Sequence, residues 1–151
     1  VAVPHGEVAG RVERLSKELR SSGFRLTHQR LEVVREVAST DVHPDAEQVF
    51  WKVRERVPTI SLDTVYRTLG TLADLGLVIR VTGVSAAVRY DANTLPHHHF
   101  ICSRCGLIRD VEGAGLDGLD IPVPAAEIGQ VESVEMRFRG VCRECAERHH
   151  S

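Results

Sequence analysis

At 151 residues, with 42% hydrophobic residues and a formal net charge of -2, the chain has the composition of one ordinary globular domain or two small ones. No stretch approaches the ~20 apolar residues of a membrane span, and the first residues, VAVPHGEVAG, lack the basic start and apolar run of a signal peptide. A membrane-spanning helix is thereby excluded and a cytoplasmic location expected. Binding to nucleic acid through bulk positive charge is excluded too, although a local basic face remains compatible with it.

In chain order, residues 7–22 read as a helix with Val8, Val12, Leu15 and Leu19 on one stripe, ended by Ser-Ser-Gly. A second helix follows, capped by Thr27 and carrying Leu31, Val34, Val37 and Ala38 at helical spacing. Pro44 keeps His43 out of a helical conformation. Asp45 then caps a third helix with Ala46, Val49, Phe50, Val53 and Val57 as its stripe. Ser61 caps a fourth, SLDTVYRTLGTLADLG, which buries Leu62, Val65, Leu69, Leu72 and Ala73 and stops at Gly76. The runs LVIRV and AAVRYD, joined by TGVS, predict a β-hairpin.

Short helices, a polar-faced helix and then a hairpin are the element order of a winged helix. The fourth helix exposes Thr64 and Arg67, with Tyr66 on its flank. Arg25, Gln29 and Arg30 are placed to hold phosphates. An amphipathic surface helix is the plainer alternative for the same pattern. With Ser61 at the helix start, Arg25, Gln29, Arg30, Ser61, Thr64, Tyr66 and Arg67 are the expected contacts to double-stranded DNA.

DANTLP, residues 91–96, is a polar linker with a proline. It separates an N-terminal domain, 1–90, from a C-terminal one, 97–151. Beyond it, strands at 98–102 and 106–111 and a third within QVESVEMRFRGV are expected. Three early glycines and two prolines argue against one long helix between the second and third strands. The two C-x-x-C pairs, Cys102 with Cys105 and Cys142 with Cys145, leave no cysteine over. Four thiolates fill the tetrahedral shell of structural zinc, and a reducing compartment disfavours disulfides. A redox cysteine pair beside a surface histidine run is the alternative, but redox chemistry needs only one pair.

In HHHFIC, alternation along a strand puts His97 and His99 on one face and His98 on the other. Asp110 returns beside the first two if the Cys-Gly turn folds the chain back. Asp91, at the linker, and His43, in the His-Pro turn, are further candidates. Three nitrogens and two oxygens without sulfur suit Fe(II) or Mn(II). Spacing alone does not place His43 with the others.

The segments RLTHQR (which has His28 where proline is usual), HPDAEQVF, PTISLDTVYRTLGTLADLGLV, VRYD, HHHFICSRCG and GVCREC resemble the ferric uptake regulator family of metal-dependent bacterial repressors, in order and over nearly the whole chain. The resemblance implies an α+β protein: an N-terminal winged-helix DNA-binding domain, then a small α/β dimerisation domain with a four-cysteine zinc site. It implies a homodimer on operator DNA, structural Zn(2+), and a regulatory Fe(2+) or Mn(2+) held by His43, Asp91, His97, His99 and Asp110.

That ligand set is similar to the family's peroxide-sensing branch, in which His43 and His97 would be the residues oxidised. Aspartate rather than glutamate at position 110 favours this branch over an iron-availability repressor, and the absence of a spare cysteine disfavours a zinc sensor. A nickel sensor would select its metal through a different ligand set. A further family site looks absent, because its histidine falls near Ser133 and Val134. Gly115, Gly118, Pro122 and Pro124 shorten the helix after the second strand. A metallohydrolase is the reading from another class, since two histidines and an aspartate can activate water; no H-E-x-x-H motif supports it.

Overall fold

The structure, a computed structural model, describes residues 5–113, 115, 116 and 120–148. The chain divides into two compact units, one ending at Thr94 and one beginning at Leu95.

The first unit holds α1 (His5–Ser21), α2 (His28–Ala38), α3 (Ala46–Arg54), α4 (Leu62–Asp74), β1 (Ile79–Thr82) and β2 (Val88–Asp91). The sequence starts each inner helix with a side-chain cap. The Thr27 side chain accepts from the Arg30 amide and that of Ser61 from the Thr64 amide. Asp45 and Gln48 form a reciprocal capping box at α3. Gly76, at φ 70°, ends α4 in the left-handed conformation that glycine adopts without penalty.

The apolar stripes converge. Leu15 and Leu19 of α1, Val33, Val34 and Val37 of α2, Val49 and Val53 of α3, and Val65, Leu69 and Leu72 of α4 are all buried in one core. Truncating one of the leucines to alanine would cost about 2–5 kcal/mol. β1 and β2 pair antiparallel with Ile79 opposite Asp91, so the expected hairpin is present with a longer connection.

Glu32 ties α2 to the segment after α3. It is buried, and its carboxylate takes a short ion pair from Arg35 and a 2.9 Å bond from Arg56 Nε; Arg56 Nη2 also reaches Glu36 at 2.9 Å. Burial pushes the Glu32 carboxyl up, but the hydrogen bonds and charges of Arg56 and Arg35 outweigh it and hold the group below its ordinary range.

The second unit holds β3 (His98–Cys102), β4 (Ile108–Val111), α5 (Val123–Ile128), β5 (Arg137–Gly140) and α6 (Arg143–Glu147). Its sheet has the order β4-β3-β5, with β3 antiparallel to β4 and parallel to β5. β4 brings the chain back to the end at which β3 begins, and β5 starts from that end on the other side of β3, after the connection that carries α5. Gly140 lies opposite Cys102. A Cβ there would stand 3.2 Å from the Phe100 ring, so the absence of a side chain lets the strands close beside the cysteines.

Three details differ from expectation. Asp91 is the last residue of β2 rather than part of a linker. The third strand spans only residues 137–140, because the Met136 amide donates to His98 Nδ1 and the Glu135 carboxylate turns to His99. A one-turn helix, α6, carries the second cysteine knuckle. The helix after β4 is short, as expected; Gly118 lies outside the described residues. Among the described residues no helix is long and apolar enough to cross a membrane.

Candidate metal centres

Cys102 ends β3, Cys105 sits in the following turn, and Cys142 and Cys145 flank the start of α6, so two chain reversals aim four sulfurs at one point. Their sulfur atoms lie within 4.8 Å of one another, and all four cysteines are free thiols. Cys105 Sγ and Cys142 Sγ are 3.7 Å apart. Tetrahedral zinc with ~2.3 Å bonds separates its sulfurs by about 3.8 Å, whereas a disulfide closes to about 2.05 Å. The geometry is that of a zinc site.

Backbone amides prepare it. The amides of Cys105 and Cys142, the latter donating to Cys102 Sγ at 3.3 Å, lower the Cys102 thiol to about 6. Cys145 is pushed up by its side-chain bonds to Cys142 and Cys105. One thiolate is thus ready-made, and a dication would draw off the remaining protons.

A second set gathers on β3 and β4. His99 is the direct cross-strand partner of Asp110. His97 Nε2 and His99 Nε2 are 3.0 Å apart, and Asp110 Oδ1 lies 3.3 Å from the first and 3.7 Å from the second. The opposite ring nitrogens are anchored. His97 Nδ1 is 2.6 Å from the Leu95 carbonyl, and His99 Nδ1 is 3.2 Å from Glu135 Oε1. Each acceptor needs a proton on Nδ1, which leaves a lone pair on each Nε2. Two lone pairs and a carboxylate oxygen converging on one point are held together by a shared proton or by a metal cation among them. Adjacent ligands at ~2.1 Å and near 90° stand about 3.0 Å apart, which matches the two imidazoles. The donor set fits a divalent metal.

In the first unit, His43 Nε2 and Asp91 Oδ2 stand 3.1 Å apart, both side chains buried. The pair is built by pinning the His-Pro turn to β2. The Tyr90 amide donates to the Pro44 carbonyl at 2.9 Å, Arg89 Nη1 donates to the His43 carbonyl at 3.2 Å, and Asp45 bridges Arg89. The Asn93 amide donates to Asp91 Oδ1 at 2.8 Å and leaves Oδ2 facing the ring. His43 itself has φ 52°, a conformation that costs a non-glycine residue of order 1 kcal/mol and marks a position held for its side chain. Neither Arg89 nor Glu135 stood out in the sequence. The only signal was a charged residue inside a segment expected to be strand.

Of the expected DNA contacts, Ser61 and Thr64 bond each other at 2.9 Å at the start of α4, and Ser61 is also its cap. Tyr66 is exposed, and Arg67 is exposed in an i,i+4 pair with Asp63 at 2.8 Å. Gln29 Nε2 donates to Thr59 at 3.1 Å; Arg30 donates to the Arg25 carbonyl and lies over the Phe24 ring; Arg25 is exposed.

A winged-helix unit followed by a zinc-stapled α/β unit, each presenting imidazole and carboxylate ligands, defines a metal-binding winged-helix protein. The chain belongs to the ferric uptake regulator family, whose sequence profile matches residues 21–139. It is 33% identical over 136 residues to the peroxide-responsive repressor PerR of Staphylococcus epidermidis, covering 90% of this chain and 91% of that one. Its fold is similar to the ferric uptake regulator Fur of Helicobacter pylori, with TM-score 0.73 and 23% identity over 92% of this chain and 93% of that one. It is also similar to the structure of GAS PerR-Zn-Zn, with TM-score 0.53 and 26% identity over 90% and 87% of the two chains.

Proposed function

We propose that the protein is a metal-dependent, dimeric transcriptional repressor that senses peroxide. The observation that carries this reading is the convergence of the His97 and His99 Nε2 lone pairs on Asp110, with both rings anchored through Nδ1. His43 and Asp91 complete the ligand set in this reading, giving three neutral imidazoles and two carboxylates whose charge balances a dication. Hard oxygen and imidazole donors without sulfur favour Fe(II) or Mn(II). Likeness to PerR of Staphylococcus epidermidis supports the peroxide-responsive reading over an iron-responsive one.

Metal that binds the DNA-competent form better than the alternative, by about 1–3 kcal/mol, couples ion availability to operator affinity. The exposed α4 residues Tyr66 and Arg67 would read the major groove, with Arg25, Gln29 and Arg30 on phosphates and the Ser61–Thr64 helix start close to the backbone. Ile121, Val123, Ile128, Phe138 and Val141 are exposed apolar residues of the second unit. A second copy of the chain covering them accounts for their exposure and pairs two recognition helices on a palindromic site. The protein acts in the cytoplasm and is not an enzyme in this reading.

Bound Fe(II) supplies one-electron chemistry toward peroxide. With iron bound there, the ring of His43 or His97 would take one oxygen atom from the peroxide, the other leaving as water, and the weakened donor would let the metal, and with it the DNA, go. Mn(II) supports repression without this oxidation. The test is binding to DNA selected from a random pool by the Mn(II)-loaded protein, repeated with Fe(II) and with Mn(II), before and after brief peroxide. Release restricted to the iron form, with one added oxygen on peptides containing His43 or His97, supports the proposal. Unmodified peptides and undiminished binding would leave an iron-availability repressor.

A further inference from the structure

Glu135 belongs to none of the ligand sets described so far, yet its carboxylate is directed at one of them. The residue precedes β5, where the chain leaves the register of a strand. Its Oε1 lies 3.2 Å from His99 Nδ1 and 3.1 Å from Arg137 Nε. The same short segment grips β3 twice more: the His99 amide donates to the Met136 carbonyl at 3.0 Å, and the Met136 amide donates to His98 Nδ1 at 3.0 Å. The backbone bonds therefore fix where Glu135 starts, and Arg137 fixes where its carboxylate ends.

The two imidazoles beside Asp110 are then held by unlike partners. His97 donates its Nδ1 proton to a neutral carbonyl, that of Leu95, whereas His99 donates to an anion. A carboxylate on the remote nitrogen fixes the tautomer and orientation of a metal-binding ring and raises its basicity, and losing such a partner costs ~10–100-fold in metal affinity.

We propose that Glu135 is a positioning residue of the regulatory metal centre, acting through His99 and making it the stronger donor of the pair. This rests on the assignment of His97, His99 and Asp110 as ligands. Arg137 neutralises part of the carboxylate's charge, so Glu135 strengthens His99 without itself joining the ion. The device ties the metal to the segment that begins β5: an ion held at His99 also holds Glu135, Met136 and the entry to the third strand.

The test uses the full-length, zinc-loaded protein and its Glu135→Gln, Glu135→Ala and His99→Ala variants. Mn(II) affinity is read from the free-ion EPR signal. The exchangeable Nδ1–H resonances are read by proton NMR of the Co(II)-loaded protein, with zinc content and the melting temperature of the manganese-free protein as checks on folding. Glu135→Gln, which keeps a neutral acceptor, should weaken Mn(II) binding by up to ~10-fold and Glu135→Ala by ~10–100-fold. The His99 Nδ1–H signal should exchange faster while that of His97 is unchanged; a merely structural Glu135 would not produce that selectivity. If His99→Ala abolishes binding while both Glu135 variants bind Mn(II) like wild type with unaltered Nδ1–H exchange, Glu135 has no such role. If His99→Ala itself leaves Mn(II) affinity intact, the ligand assignment fails and the proposal with it.

Discussion

His99 and Asp110 stand directly opposite each other on β3 and β4, so the register of one hairpin decides whether imidazole meets carboxylate. A one-residue slip would send every side chain of β4 to the other face and replace Asp110 by Arg109 or Val111. The zinc knuckle at the end of β3 is what sets that register. The Cys102 amide donates to the Leu107 carbonyl at 2.8 Å, and the Gly106 amide to the Cys102 carbonyl at 3.1 Å.

Asp110→Asn keeps the shape and removes the charge, and we expect it to weaken Mn(II) binding by at least ~10-fold with no loss of zinc. Asp110→Glu keeps the charge but moves the carboxylate out by one methylene. It should retain metal-dependent DNA binding and lose the peroxide response. Mn(II) titration and DNA binding after peroxide, run side by side, separate the two effects.

Zinc removal should act on one unit first. Binding at structural zinc sites is worth about 10–16 kcal/mol, far more than the sparse core around Cys102, Cys142, Cys145, Phe100 and Leu107 can replace. Cys142→Ser, or a strong chelator, should abolish the strand signal of the second unit while the helical signal from α1–α4 persists. Circular dichroism during thermal melting of the treated protein would then show a single transition, that of the helical unit.

Glu32 gives the first unit a pH dependence of known sign. Its folded-state carboxyl sits below its ordinary value of 4.5, so the ion pairs with Arg35 and Arg56 are fully stabilising above that pH and are lost as pH falls through the lower, folded value. Glu32→Gln should cost about 1–2 kcal/mol at neutral pH and close to nothing at the acid end. Urea midpoints of the two proteins at both pH values check this.

At α4, stability and DNA affinity should separate by residue. Ser61→Ala removes a helix cap and should cost about 1 kcal/mol of stability. Arg67→Ala and Tyr66→Ala touch only exposed side chains, so the melting temperature should hold while affinity for selected DNA falls. As base contacts, Arg67 and Tyr66 should each relax selectivity at one position when lost; weakening of binding to all sequences alike would place the residue on a phosphate instead.

Most of this architecture was legible in the sequence because its signals are local. Thr27, Asp45 and Ser61 announce their helices through hydroxyl or carboxylate caps, and apolar spacing marks the buried stripes. The paired C-x-x-C motifs and the alternation of His97 with His99 likewise need only neighbours in the chain.

What stayed hidden depends on partners distant in sequence. Nothing in the alternation of VESVEMRFR around Glu135 tells that its carboxylate leaves the sheet for His99 rather than facing solvent. The pinning of the His43 turn by Arg89 and Tyr90 reaches across α3, α4 and β1 and has no periodic trace. The left-handed backbone of His43 was equally invisible, since the following Pro44 argues only against helix.

Because β5 enters the sheet from the same end as β3, the connection between β4 and β5 is a tether rather than a scaffold. The entropy of closing such a loop grows only slowly with its length. Residues could be gained or lost around α5 without disturbing the thiolates or the imidazoles, provided the few positions from Glu135 onward are spared. That stretch is where a lineage could reshape the surface offered to other molecules while leaving its metal chemistry intact.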